Sequence, residues 1–301
     1  MNKCTRHWAA ASAMLGLLLV SSPVVHALGD PQDELTRRSY ADIPLGQIHY
    51  RFTLNKTDAT PLVLLHQSPL SGRMFRNLLP LLGKTRQSFA VDTPGYGESD
   101  PPAAPPTIAG YTDALVAWMD AIGLQQIDLF GYHTGSVLAV DIAVRYPERV
   151  RKLMLMSVPL MSVEQMQNWT SESEPFDDQG QYLAAMWNGS FHYKREGQSN
   201  DDIAVTVAEK QRAGRTHKWA YAAMGKYSLA EQAIKIEQPL LLLNVGDTLF
   251  EATADLKRLL ERNGVAVEYL EKPDWSYGLF DTEATEITQL IDDFTAQTDS
   301  Q

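Results

Sequence analysis

At 301 residues, 44% of them apolar, the chain has the length and composition of one large domain with an insertion. Its 26 Lys and Arg stand against 37 Asp and Glu, a net charge of −11. With no basic runs, this argues against nucleic acid and anionic membrane surfaces as partners. The one cysteine, Cys4, lies in the leader described next, so the rest of the chain has no disulfide, thiolate nucleophile or thiolate metal site.

Residues 1–27 read as a secretory signal peptide. Lys3 and Arg6 form the positive region, Ala9 to Val20 the apolar core, and Val25-His26-Ala27 the small-residue cleavage site. The apolar run is shorter than the roughly 20 residues a membrane span needs. The expected location after removal is therefore the periplasm or the medium, with no membrane span. Asp30 to Ser39 is polar and reads as a mobile leader to the fold.

Gln47 to Phe52 alternates as a half-exposed strand, with His49 a satisfied surface or sheet residue rather than a ligand. Leu62 to Leu65 is a continuous apolar run, the mark of a strand covered on both faces. His66-Gln67-Ser68-Pro69 follows it, and Gly72 to Leu82 reads as a helix. Phe89 to Val91 is the next strand, ending in Asp92-Thr93-Pro94-Gly95-Tyr96-Gly97-Glu98-Ser99. Pro101 to Pro106 is a rigid connector, and Thr107 opens a helix that Gly123 closes.

Ile127 to Phe130 reads as a buried strand and Val137 to Arg145 as a helix of small residues. Between them lies Gly131-Tyr132-His133-Thr134-Gly135. This is the frame of a G-x-S-x-G nucleophile elbow, a sharp strand-to-helix turn that holds a side chain out at the top of a sheet. The glycines are required because the turn crowds its neighbours' backbone. The central position, however, holds His133 rather than a serine.

Lys152 to Met156 is another strand, ending at Ser157-Val158-Pro159. Residues 160–237 are helical in pattern and dense in aromatics, among them Trp169, Phe176, Trp187, Phe191 and Tyr221. They read as an inserted cap over an apolar pocket. The sheet resumes at Pro239 to Val245, followed by Gly246-Asp247. Ala254 to Arg262 is a helix, Val265 to Leu270 a last strand and Glu283 to Phe294 a closing helix. The alternation predicts an α/β fold: a mostly parallel sheet with helices on both faces. Its core falls in 28–159 and 238–301, with 160–237 as helical cap.

These landmarks, in this order, resemble the α/β-hydrolase fold over roughly residues 40–297. His66-Gln67-Ser68-Pro69 resembles its oxyanion loop and Asp92 to Ser99 its Asp-x-Pro-Gly-x-Gly-x-Ser turn. Gly131 to Gly135 is similar to its elbow, and Asp247 stands where the family places its acid. The resemblance implies backbone roles for His66 in the oxyanion loop and a structural one for Asp92. It also implies an oxyanion hole from the N–H groups of Gln67 and Thr134. Family chemistry further needs an imidazole near the C-terminus, but no histidine follows His217. Tyr277 or Ser276 occupies that slot.

The candidate catalytic residues are therefore His133, Asp247, Tyr277 and Ser276, with Gln67, Thr134, Ser68 and His66 around the substrate. Imidazole reaches further than a serine hydroxyl, so a His133–Asp247 dyad acting as general base is the reading with most chemical content. Such a base works in its neutral form, so activity rises as pH rises. Ser276 as nucleophile with His133 as base, and Ser68 paired to His133, stay open. So does a histidine that only hydrogen-bonds Tyr277 or Ser276 across a binding cavity. No spacing suggests a metal, and no cofactor is expected.

The expected function is exported, cofactor-free hydrolysis of a small ester-like molecule without an acyl-enzyme. A lyase or isomerase using His133 as base, or a small-molecule binding protein with a degenerate triad, are the alternatives. The sequence names neither the substrate nor the oligomeric state.

Overall fold

The computed structural model describes residues 35–55, 57–162, 165–166 and 178–297. The predicted signal peptide, Trp169 and Phe176 lie outside them. Eight strands form one sheet in the order β1-β2-β4-β3-β5-β6-β7-β8. They are β1 (Thr36–Ile43), β2 (Gly46–Thr53), β3 (Leu62–Leu65), β4 (Ser88–Val91), β5 (Ile127–Tyr132), β6 (Val150–Met156), β7 (Leu240–Val245) and β8 (Glu268–Lys272). β1 and β2 run antiparallel to each other, and β2 antiparallel to β4; the remaining pairs are parallel.

The central strands are apolar throughout because both faces are covered, and their side chains alternate between two cores. Leu65, Leu129, Leu153 and Leu242 point to one face, against Trp118 of α2 (Ile108–Ala121), Val140 of α3 (Thr134–Arg145) and Leu256 of α8 (Phe250–Arg262). Leu64, Phe130, Met154 and Leu243 point to the other, against Leu79 of α1 (Leu79–Leu82), Phe280 of α9 (Leu279–Thr282) and Ile291 of α10 (Ala284–Ala296). Each such side chain contributes about 1.5–3 kcal/mol when fully buried. Thr107 caps α2, its hydroxyl accepting from the Gly110 N–H at 3.0 Å.

Between β6 and β7 the described residues form α4 (Gln181–His192), α5 (Asn200–Arg212), α6 (Trp219–Met224) and α7 (Leu229–Ala233). Ser199 and Asp202 close a capping box at the start of α5. Tyr96 fastens this region to the core. Its hydroxyl donates to the Thr216 carbonyl at 2.9 Å and accepts from the Ala220 N–H at 3.0 Å.

Three sequence expectations are corrected. The polar stretch 30–39 is not all leader, since β1 begins at Thr36 and its backbone pairs with β2 whatever its side chains. Gly72 to Leu82 is not one helix: a 3-10 turn (Gly72–Phe75) precedes the short α1. Pro80 has no N–H to give a helix running through it. The last strand is Glu268–Lys272 rather than Val265 to Leu270, its register set by pairing along β7.

Candidate functional site

The site lies at the carboxyl ends of β5, β6 and β7. Tyr132 pairs with Met156, and Met156 with Leu243, so the residues that leave these strands emerge side by side. His133 follows β5 directly with φ 52°, and Ser157 follows β6 directly with φ 53°. Both occupy the left-handed region that non-glycine residues rarely enter, with histidine among the more tolerant. The elbow glycines have their expected reason. A Cβ on Gly131 would stand 2.5 Å from the Gly135 carbonyl oxygen, and one on Gly135 would fall on the carbonyl of Leu65.

His133 Nε2 lies 2.9 Å from Asp247 Oδ2. That carboxylate also accepts from Ser157 Oγ at 2.7 Å, and its Oδ1 accepts from the Leu249 N–H at 2.8 Å. Burial opposes ionisation of Asp247, but the hydrogen bond and charge of His133, with the Ser157 and Leu249 donors, outweigh it. The carboxyl is held below its usual range. An ionised Asp247 takes the proton of Nε2–H, which leaves Nδ1 as the acceptor of the neutral ring. Nδ1 makes no hydrogen bond among the described residues. Beside this pair, Tyr132 is buried. That burial, with the charge of Asp247, pushes its phenol well above the ordinary value, so it stays protonated.

The loop His66-Gln67-Ser68-Pro69, expected to be the oxyanion loop, is clasped to the elbow. The Ser68 N–H donates to Thr134 Oγ1 at 2.6 Å, and Thr134 Oγ1 donates to Ser68 Oγ at 3.2 Å. The N–H groups of Gln67 and Thr134, the latter at the start of α3, have no acceptor among the described residues. From the 160–237 region, Tyr221 donates to the Ser68 carbonyl at 2.5 Å. His66 is buried and bonds its surroundings from both nitrogens. Nδ1 is 2.9 Å from the Gln67 carbonyl and Nε2 accepts from the Thr93 N–H at 3.0 Å. Burial pushes its pKa down and keeps it neutral. Asp92 holds the Gly72 N–H, the Glu98 N–H and His49 Nδ1, each within 2.9 Å.

A cavity of about 560 Å³ opens above His133, lined among others by Gln67, Ser68, Thr134, Tyr193, Tyr221 and Tyr277. Tyr277 takes the slot near the C-terminus: its ring centroid is 5.8 Å from that of His133, and its hydroxyl shares a 2.6 Å bond with Thr248. Ser276 is not in the cavity lining. Ser68 bonds Thr134 rather than His133, and His133 bonds neither Tyr277 nor Ser276.

The apolar pocket expected from the cap aromatics is there, with Tyr182, Tyr193 and Tyr221 in its wall beside Met186, Ile203 and Met224, but it also carries charged groups. Trp187, Phe191 and Tyr193 are each substantially exposed, while Arg73, Arg76, Glu209, Lys210 and Asp281 reach the cavity wall. Ser157, Thr248 and Tyr132 carry parts of the site that the sequence reading did not assign. For Ser157 the signal was present: a polar residue directly after an apolar strand, at the edge where parallel sheets place ligands. Among the described residues no three His, Cys, Asp or Glu side chains converge to hold a metal, and no helix is long and apolar enough to cross a membrane.

A mostly parallel sheet with a strained corner after one central strand, and a carboxylate just beyond the second strand over, is the architecture of the α/β hydrolases. Residues 60–233 match the family described as alpha/beta hydrolase fold, and the chain belongs to that family. It is 37% identical over 100 residues to 2-hydroxymuconate semialdehyde hydrolase of Pseudomonas sp. (strain CF600), a match covering 32% of this chain and 35% of that protein. It is 30% identical over 118 residues to haloalkane dehalogenase of Agrobacterium fabrum, covering 39% and 38%. These matches thus span little more than a third of either relative. A hydrolase from Pseudomonas aeruginosa PA01 superposes with a TM-score of 0.71 at 18% identity, over 87% of this chain and 99% of that one, a likeness of fold.

Proposed function

We propose that this protein is an exported, cofactor-free hydrolase of small ester-like compounds, in which His133 activates water. The observation that carries the reading is the 2.9 Å contact of His133 Nε2 with the buried, ionised Asp247. With Nε2–H committed to Asp247, Nδ1 takes a proton from water as the oxygen bonds the acyl carbon. The carbonyl oxygen gains the negative charge facing the N–H groups of Gln67 and Thr134. Collapse breaks the bond to the alkoxy group, which leaves as the alcohol with the proton from the imidazolium. No covalent enzyme intermediate forms. The names of the two relatives above, a hydrolase and a dehalogenase, favour displacement by water over the lyase or isomerase alternative. The signal-peptide pattern of residues 1–27 is what supports export.

The test is a panel of aryl and short-chain esters with the intact protein and His133→Ala. General-base catalysis is worth about 10²–10⁴-fold, so the variant should lose at least about a hundredfold in turnover. A fluorophosphonate should leave the protein unlabelled. Unchanged rates in His133→Ala, or stoichiometric labelling of a serine, would overturn the mechanism. Saturable binding of these esters without turnover would make the protein a binding protein.

A further inference from the structure

Several charged groups around the cavity pair off. Arg76 meets Asp202 at 2.8 Å and Asp281 at 2.6 Å. Glu209, 3.9 Å from Arg73, also accepts from the Ser71 hydroxyl. Lys210, on α5 in the same wall, has no carboxylate within ion-pair distance among the described residues. Its ammonium donates to Ser190 Oγ of α4 at 2.9 Å, and Ser190 is itself buried. Burial pushes the Lys210 pKa down, as expected of a cation taken from water without a counter-charge. His217 lines the cavity as well, held toward its neutral form first by burial and then by the charges of Lys210 and Lys218. Four basic residues, Arg73, Arg76, Lys210 and Lys218, thus face the cavity against two acidic ones, Glu209 and Asp281, in a protein whose net charge is −11.

We propose that Lys210 is the recognition point for a ligand carboxylate, so that the cavity takes small acyl compounds bearing a carboxylate away from the reacting carbonyl. This rests on the hydrolase reading for the reacting end only; the anion site stands on the placement of Lys210. A half-buried ammonium with one neutral partner is under-compensated, and a carboxylate supplies both charge and acceptor atoms. Lys210 belongs to the cap region and His133 to the sheet. A molecule held at both would therefore be oriented along the cavity, with its carbonyl end at the elbow. A monoanion suits this site, because the two arginines already have acid partners.

The experiment is calorimetric binding to the full chain of benzoate and of benzamide, its neutral counterpart of the same shape. A charge-assisted hydrogen bond predicts that benzoate binds about 10–100-fold more tightly than benzamide. In Lys210→Met the ratio should collapse to within twofold, and Lys210→Arg should restore at least part of it. If Lys210→Met does not fold, Ser190→Ala removes the partner that aims the ammonium and should cut the ratio at least threefold. Equal affinities in the intact protein, no binding of either compound, or a ratio that survives Lys210→Met or Ser190→Ala would overturn the proposal. Binding needs no turnover, so a preference for benzoate in a protein inert toward esters would remove the hydrolase reading and leave this one. Ester turnover without that preference would do the reverse.

Discussion

At the scale of the residue, the proposed mechanism turns on which nitrogen of His133 holds the proton. Asp247 decides this as an acceptor only, kept ionised by Ser157 and the Leu249 N–H as well as by the ring. An asparagine in its place offers an amide that can donate to Nε2 and move the proton to Nδ1, the atom the proposed mechanism uses as base. Asp247→Asn should therefore lower kcat/KM by on the order of 10³–10⁴-fold in an ester assay while the protein still folds. A loss of less than tenfold would show that the tautomer does not matter. Tyr277 stands beside the same ring. Its hydroxyl is engaged with Thr248, and its ring lies 5.8 Å from that of His133, centroid to centroid.

Among the elements, the elbow is held by close backbone approach rather than by side-chain contacts. β5 and α3 meet across Gly131 and Gly135, and a Cβ on Gly135 would run into the carbonyls of Leu65, which ends β3, and His66, which follows it. Gly135→Ala puts a methyl group on backbone that cannot turn aside. It should cost about 1–3 kcal/mol, a drop in Tm measurable by differential scanning calorimetry. It should also separate the Thr134 and Gln67 N–H groups, so activity falls further than stability. An alanine variant as stable as the parent would refute the packing argument. Across from the elbow, the helices between β6 and β7 are tied to the oxyanion loop through Tyr221 and Ser68. The cavity is therefore walled both by the loop after β3 and by the helices between β6 and β7.

For the molecule as a whole, the buried titrating groups predict how stability responds to acid. His66 and His217 have their pKa lowered by burial, so stability declines once pH drops below about 6.5, where the unfolded chain binds protons that the folded one refuses. Burial raises Asp128, Asp281 and Asp292, whose earlier protonation in the folded state opposes that decline. Asp92 and Asp247 have lowered values; their contribution is intact above about pH 4 and disappears as pH falls through their folded-state pKa. Thermal melts from pH 8 to 3 should show a shallow decline and then a steep one below about pH 4. The steep limb should be less steep in Asp247→Asn. An unchanged Tm at pH 3.5 would contradict it.

Much of this was legible in one dimension. Runs such as Leu62 to Leu65 and Leu240 to Val245 identify buried strands, because a strand covered on both faces must be apolar at every position. Gly131 and Gly135 mark the corner, because only glycine tolerates that crowding. Those are local constraints, and the chain alone determined them, together with His133 as the residue at the corner and the lack of any histidine after His217. It did not determine that Ser157 would share the Asp247 carboxylate, that Ser276 would lie outside the cavity lining, or that Lys210 would face the cavity without an acid partner among the described residues. These depend on strand register and on how the helices between β6 and β7 settle over the sheet. Partnership across a ladder is set by contacts between residues far apart in sequence, which local periodicity does not record.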